Sequence, residues 1–141
     1  MTTEETVELL QQFTLFEGVD ESTLHSFVEQ SQEIELEQGH IIAREGQLGT
    51  GMFLILKGTV NIVRHGVTID TSGPGDIVGE LSLIDRAPRV ATLIAKDDVV
   101  CLGIASWNLD KILKQPDLAQ HLQQIEQKHR RAQAARVDGA E

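Results

Sequence analysis

The sequence predicts a mainly β domain flanked by helices, its strands closed into a sandwich or jelly-roll barrel. Two observations carry that prediction. Short strand-like apolar runs succeed one another between residues 33 and 104, punctuated by Gly46, Gly49, Gly58, Gly66, Gly73 and Gly75. Many short strands with regular glycine turns mark closed all-β architectures. Before residue 31 and after residue 105 the apolar residues return at helical spacing instead. With 141 residues the chain has the size of one domain and enough length to bury a core without staples.

Thr2 to Gln12 reads as a helix. Thr2 and Glu5 have capping-box spacing, and Val7, Leu10 and Phe13 fall on one side. Asp20 caps a second helix that carries Leu24, Phe27 and Val28. From Glu33 the period becomes two: Ile34 and Leu36 alternate with glutamates up to the Gln38-Gly39 turn, which is a half-buried strand. Further strands are expected over His40–Arg44, Gly51–Lys57, Thr59–Arg64, Val67–Thr71, Ile77–Val78, Val90–Lys96 and Val99–Ile104. Ser106 opens a helix bearing Leu109, Ile112 and Leu113. Pro116 starts the last helix, with Leu118, Leu122, Ile125 and Ala132 at helical spacing. The tail from Val137 to Glu141 reads as frayed.

One stretch carries chemistry. Gly79-Glu80-Leu81-Ser82-Leu83-Ile84-Asp85-Arg86-Ala87-Pro88-Arg89-Val90-Ala91-Thr92 puts a glycine turn, a carboxylate, a short apolar helical turn and an arginine between two strands. Glu80 can accept hydrogen bonds from a sugar hydroxyl. Backbone N–H groups at the start of the turn face an anion, as helix N-termini do. Arg89 supplies a planar fork matched to two phosphate oxygens. An isolated arginine would read as a surface residue paired with Asp85 or Glu80, and an isolated glutamate as a cap on the following turn; the surrounding run favours a sugar-phosphate site.

This run resembles the phosphate-binding cassette of the cyclic nucleotide-binding domain, the module of the catabolite activator protein family and of regulatory subunits of cAMP-dependent protein kinase. The likeness extends upstream through Glu45-Gly46, Gly49, Met52 to Leu56, Lys57-Gly58-Thr59-Val60 and Gly73-Pro74-Gly75-Asp76, and spans residues 12 to 115. It implies an eight-stranded β-roll (a double-stranded jelly roll) with an N-terminal helical bundle over 2–30, the roll over 31–105 with its cassette at 79–92, and C-terminal hinge and lid helices over 106–136. It implies a 3′,5′-cyclic nucleotide as ligand, cAMP before cGMP. Gly79 would let the chain approach the ribose, Glu80 would hold its 2′-hydroxyl, and Arg89 would pair with the exocyclic phosphate oxygens. Backbone N–H groups around Leu81, Ser82 and Ala91 would complete the cradle. Many relatives carry Ser, Thr or Ala directly after the arginine. Val90 stands there in this chain and cannot donate, which argues against a guanine preference. Val78, where an aromatic residue is frequent, is conservative packing. The resemblance puts base recognition in the C-terminal helices, where Leu118, Leu122, Ile125 and His129 are candidates, though each reads more readily as core or interface filler. Trp107 reads as packing.

Composition restricts the rest. Net charge is −10, with no Lys or Arg before Arg44 and dense acidic residues from Glu4 to Glu37. That surface repels nucleic acid and anionic lipid, and reads as a solvated face. Cys101 lies in an apolar run, as a buried thiol in a reducing compartment would. No signal segment or membrane-length apolar run is present, so a cytoplasmic protein is expected. His25, His40, His65, His121 and His129 show no metal-ligand spacing, and no nucleophile–base pair assembles. Neither an enzyme nor a metal or cofactor is expected. Three functions compete: a sensor that relays ligand occupancy through its C-terminal helices to a protein partner, a scaffold with a degenerate pocket, and the sensor fragment of a transcription regulator. The last is disfavoured, because too few residues follow the lid helix for a helix-turn-helix, and Lys128-His129-Arg130-Arg131 reads as a solvated helix end. The stripe on the last helix fits homodimerisation and burial against the roll equally well.

Overall fold

The computed structural model describes residues 1–141 except 50, 81–85, 109, 112–113 and 140–141, with the backbone alone described at 107 and 133–139. Helix α1 (Thr3–Leu10) begins as its sequence requires: the Thr2 hydroxyl accepts from the Glu5 N–H at 3.1 Å, and the Glu5 carboxylate accepts from the Thr2 N–H at 3.5 Å. A 3₁₀ turn, Thr14–Phe16, leads to α2 (Glu21–Glu29), where the Asp20 carboxylate accepts from the Thr23 N–H at 2.7 Å. That bond holds the Asp20 pKa below its ordinary value.

Among the described residues eight strands follow: β1 (Gln32–Leu36), β2 (Ile41–Ala43), β3 (Gly51–Lys57), β4 (Val60–Arg64), β5 (Val67–Ser72), β6 (Ile77–Val78), β7 (Thr92–Ala95) and β8 (Val99–Ala105). They form two antiparallel sheets, ordered β1-β8-β3-β6 and β2-β7-β4-β5. This is the expected eight-stranded roll. β4 and β5 are joined by His65 and Gly66, with φ of 50° and 78°; paired positive φ values define the hairpin turn that suits strand twist. The last described helix is α3 (Pro116–Gly139).

Alternation on the strands builds two cores. On β3, Met52, Leu54 and Leu56 face a helical layer, where they pack with Leu10, Phe16, Leu24 and Phe27 and with Leu118 and Leu122 of α3. Ile55 turns the other way and joins Val60, Ile62, Val78, Leu93, Val99 and Cys101 between the sheets. The same split runs along β8, where Leu102 and Ile104 meet the helices and Val99 and Cys101 meet the second sheet. The protein is therefore layered as helices, sheet and sheet.

Three expected elements differ. α3 continues to Gly139, through the positions from Val137 that read as a frayed tail. The strand expected from Val90 starts at Thr92, because the Arg89 N–H donates to the Gln47 carbonyl and the Arg89 carbonyl accepts from Gly46, both at 2.8 Å. Those bonds commit the preceding chain to a loop. The helix expected from Ser106 opens as a 3₁₀ turn, Ser106–Asn108; Leu109, Ile112 and Leu113 lie outside the described residues.

Candidate functional site

The end of β6 shapes one wall of a cavity. Val78 is buried between the sheets, and Gly79 turns the chain with a φ of +82°. A Cβ on Gly79 would sit 2.7 Å from Arg89 Nη1 and 3.5 Å from the Phe53 ring. Glycine is thus required twice, for its backbone angle and for the room it leaves. Glu80 follows and is 1% exposed. A buried carboxylate is costly unless a donor meets it, and here the donor is Nδ1 of His129 on α3.

Arg89 enters from the loop before β7. Its backbone is clamped by Gly46 and Gln47, and its guanidinium donates to the Gly79 carbonyl at 3.3 Å and the Gly51 carbonyl at 2.9 Å. The guanidinium carbon stands 5.8 Å from the Phe53 ring centroid, within cation–π range. Burial lowers the Arg89 pKa, and the neighbouring Glu80 charge opposes that shift. The fork bridges two strand ends while facing the cavity.

Ile62 on β4, Ile69 and Asp70 on β5, and Leu93 on β7 complete the walls. Consecutive strand residues ordinarily point to opposite faces. Ile69 and Asp70 both line the cavity because the register slips here: Ile62 opposes Asp70 while Val63 opposes Thr68. A bulge re-aims side chains in this way. Val90, 41% exposed, and buried Ala91 form the rim and wall beside Arg89. His129 and Ala132 of α3 cover the top. The cavity volume, about 40 Å³, is far below the roughly 300–1,000 Å³ of pockets that hold drug-sized molecules, so the cavity is too narrow for such a ligand as it stands.

Of the residues the sequence singles out, Gly79, Glu80, Arg89, Val90 and Ala91 gather at this cavity, while Leu81 and Ser82 lie outside the described residues. The four lid candidates separate. Leu118 and Leu122 are core, Ile125 packs at the edge of that core, and His129 is 5% exposed within the cavity. The filler reading therefore fits the first three and misses the ion pair of the fourth. A signal for it existed: His129 falls seven residues after Leu122, placing a titratable group on the inward stripe of α3. Among the described residues no three His, Cys, Asp or Glu side chains are placed to hold a metal ion. No described helix is long and apolar enough to cross a membrane.

A helical layer on a two-sheet roll, with a carboxylate and a guanidinium lining one cavity, defines a β-roll ligand-binding domain. Residues 33–116 match the family model described as "Cyclic nucleotide-binding domain", and the chain belongs to that family. It is 34% identical over 98 residues to the cAMP-dependent protein kinase regulatory subunit of Yarrowia lipolytica, covering 70% of this chain and 25% of that protein. It is 29% identical over 128 residues to the CRP-like cAMP-activated global transcriptional regulator of Mycobacterium tuberculosis, covering 84% of this chain and 55% of that one. The chain thus spans a quarter to about half of these relatives. Among solved structures, a cyclic nucleotide-binding domain from Methylobacillus flagellatus superposes with a TM-score of 0.78 at 26% identity, covering 99% of this chain and 84% of that one. The family is one of regulatory binding domains rather than catalytic ones.

Proposed function

We propose that this domain senses a cyclic nucleotide, cAMP in preference to cGMP, and passes occupancy through α3 to a protein partner. One observation carries the reading: Glu80 and Arg89 line a single apolar-walled cavity, one an acceptor for a sugar hydroxyl and the other a fork for a phosphate. On this reading Glu80 takes the ribose 2′-hydroxyl, and Arg89 turns part of its fork from the Gly51 and Gly79 carbonyls to the exocyclic oxygens. Backbone N–H groups of Leu81, Ser82 and Ala91 complete the anion cradle. Residues 1–141 act as one domain, with 2–30 as the helical layer, 31–105 as the roll carrying its cassette at 79–92, and 106–136 as hinge and lid. The printed names of the kinase and regulator relatives both involve cAMP, and Val90 offers no hydroxyl to a guanine base.

The cavity volume supports a movement of α3 on binding. A nucleotide cannot enter about 40 Å³ of free space beneath α3, so binding favours an arrangement with α3 displaced. The ligand acts only through its differential affinity for the two arrangements. Titration calorimetry with cAMP and cGMP, on the wild type and on Arg89→Ala, tests the proposal. Expected is tighter binding of cAMP and a loss of about tenfold or more in the variant, as for a hydrogen bond to a charged group. No heat from either nucleotide at millimolar concentration would overturn it and favour a scaffold.

A further inference from the structure

His129 and Glu80 reach the cavity from opposite sides and pair there, 5% and 1% exposed. A carboxylate accepts through two oxygens, and the α3 imidazole stands against one of them, Oε1 of Glu80, on the cavity side. That is the carboxylate the cyclic nucleotide reading gives to the ribose. With about 40 Å³ left over, imidazole and nucleotide cannot share the space. Resting on that reading, we propose that His129 is an internal competitor: it occupies the sugar-binding carboxylate, holds α3 down in the empty domain, and must leave Glu80 before ligand seats, with proton loss from the imidazole easing its departure.

The charged groups around the ring give the pH dependence its sign. Glu80 contacts it, Asp70 from β5 and Asp76 from the turn before β6 add negative charge, and Arg89 lines the same cavity. On its own helix Glu126 and Arg130 engage one another at 2.8 Å. Burial works against the imidazolium, but the Glu80 hydrogen bond and charge, helped by Asp70 and Asp76, outweigh it and raise the His129 pKa above its ordinary value. A raised native value means the pair's stabilisation is complete below about pH 6.5, the ordinary histidine value, and is lost as pH climbs through the native value. The latch is therefore firmest in acid, where ligand affinity is lowest.

Two experiments on the full chain test this. In the first, calorimetry with cAMP between pH 6 and pH 9 compares the wild type with His129→Ala and His129→Gln. The wild type is expected to gain affinity as pH rises. His129→Ala should bind about tenfold or more tighter than wild type at the acid end, the scale of one charged hydrogen bond, and lose that advantage toward pH 9. His129→Gln, a neutral donor, should fall between them at the acid end and show a flat profile. Equal or weaker binding by His129→Ala with a parallel pH profile overturns the competitor. In the second, without ligand, NMR follows the His129 ring in the wild type and in Glu80→Gln. Its titration should move down toward the ordinary histidine value in the variant, and an unmoved titration overturns the latch. A ring that responds to Glu80→Gln in a protein that binds no cAMP, with or without His129, supports the latch as a closure and overturns the nucleotide reading on which its competitor role rests.

Discussion

Replacing Gly79 with alanine tests whether the backbone at the end of β6 sets the position of Arg89. At φ +82° an L-residue carries strain of about 1–3 kcal/mol. The new Cβ would also lie 2.7 Å from Arg89 Nη1. A free guanidinium would swing aside at little cost, but this one is held by the Gly51 carbonyl at 2.9 Å and stacked on Phe53. Moving it forfeits the donation to the Gly79 carbonyl, about 1.5 kcal/mol at the low end for a charged donor, since Arg89 is only half-buried. Lower unfolded-chain entropy returns about 0.4–1 kcal/mol. The net is a loss of about 1.5–4 kcal/mol, or a Tm lower by roughly 5–14 °C for a domain of this size. Gly66→Ala separates the two causes, because Gly66 also has positive φ (+78°) but no atom within 4 Å of its Cβ position. Thermal unfolding of both variants by circular dichroism is the assay. Gly79→Ala should fall further than Gly66→Ala and should also lose cAMP affinity, whereas Gly66→Ala should keep it. Equal melting losses with unchanged binding would refute the coupling between Gly79 and Arg89.

Two further perturbations read the rest of the fold. At Gly58 a Cβ would overlap the Asp98 carbonyl oxygen, a backbone atom that no rotamer change can move, and φ is +83°. Gly58→Ala should cost about 3 kcal/mol or more, visible as a lower urea midpoint with an unchanged slope; a midpoint equal to wild type would contradict the close approach. Burial pushes the Cys101 thiol up to about 11 from 9.0, which cuts the thiolate present at pH 8 by about a hundredfold. Labelling by a thiol reagent should be slow in the native protein and fast in denaturant, and equal rates would place Cys101 outside the core.

Much of the fold is written locally. Thr2 with Glu5, and Asp20 before Thr23, announce helix starts that depend on no distant residue, and the period-two segments name both faces of their strands. The cassette was legible for the same reason: glycine, carboxylate and arginine are close in sequence, so their spacing survives without knowledge of the sheets. Pairing across the chain was not legible. Nothing near Val90 reveals that Gly46 and Gln47 capture the Arg89 backbone and delay β7. The bulge that turns Asp70 into the cavity depends on the register of β4, and His129 meets Glu80 from 49 positions further along the chain. The Thr14–Phe16 turn carries no capping side chain and so has no sequence mark.

α3 is fastened near its start by apolar packing and further along by the His129–Glu80 pair. Leu118 and Leu122 are sunk among Leu15, Phe16 and Leu24, and His121 Nδ1 donates to the Leu15 carbonyl at 2.8 Å. His129 lies seven residues beyond Leu122, about 10 Å along the axis at 1.5 Å per residue. The helix therefore cannot rise bodily from the roll without tearing open the N-terminal core. If α3 moves when His129 leaves Glu80 while Leu118 and Leu122 stay buried, that movement is concentrated beyond position 122.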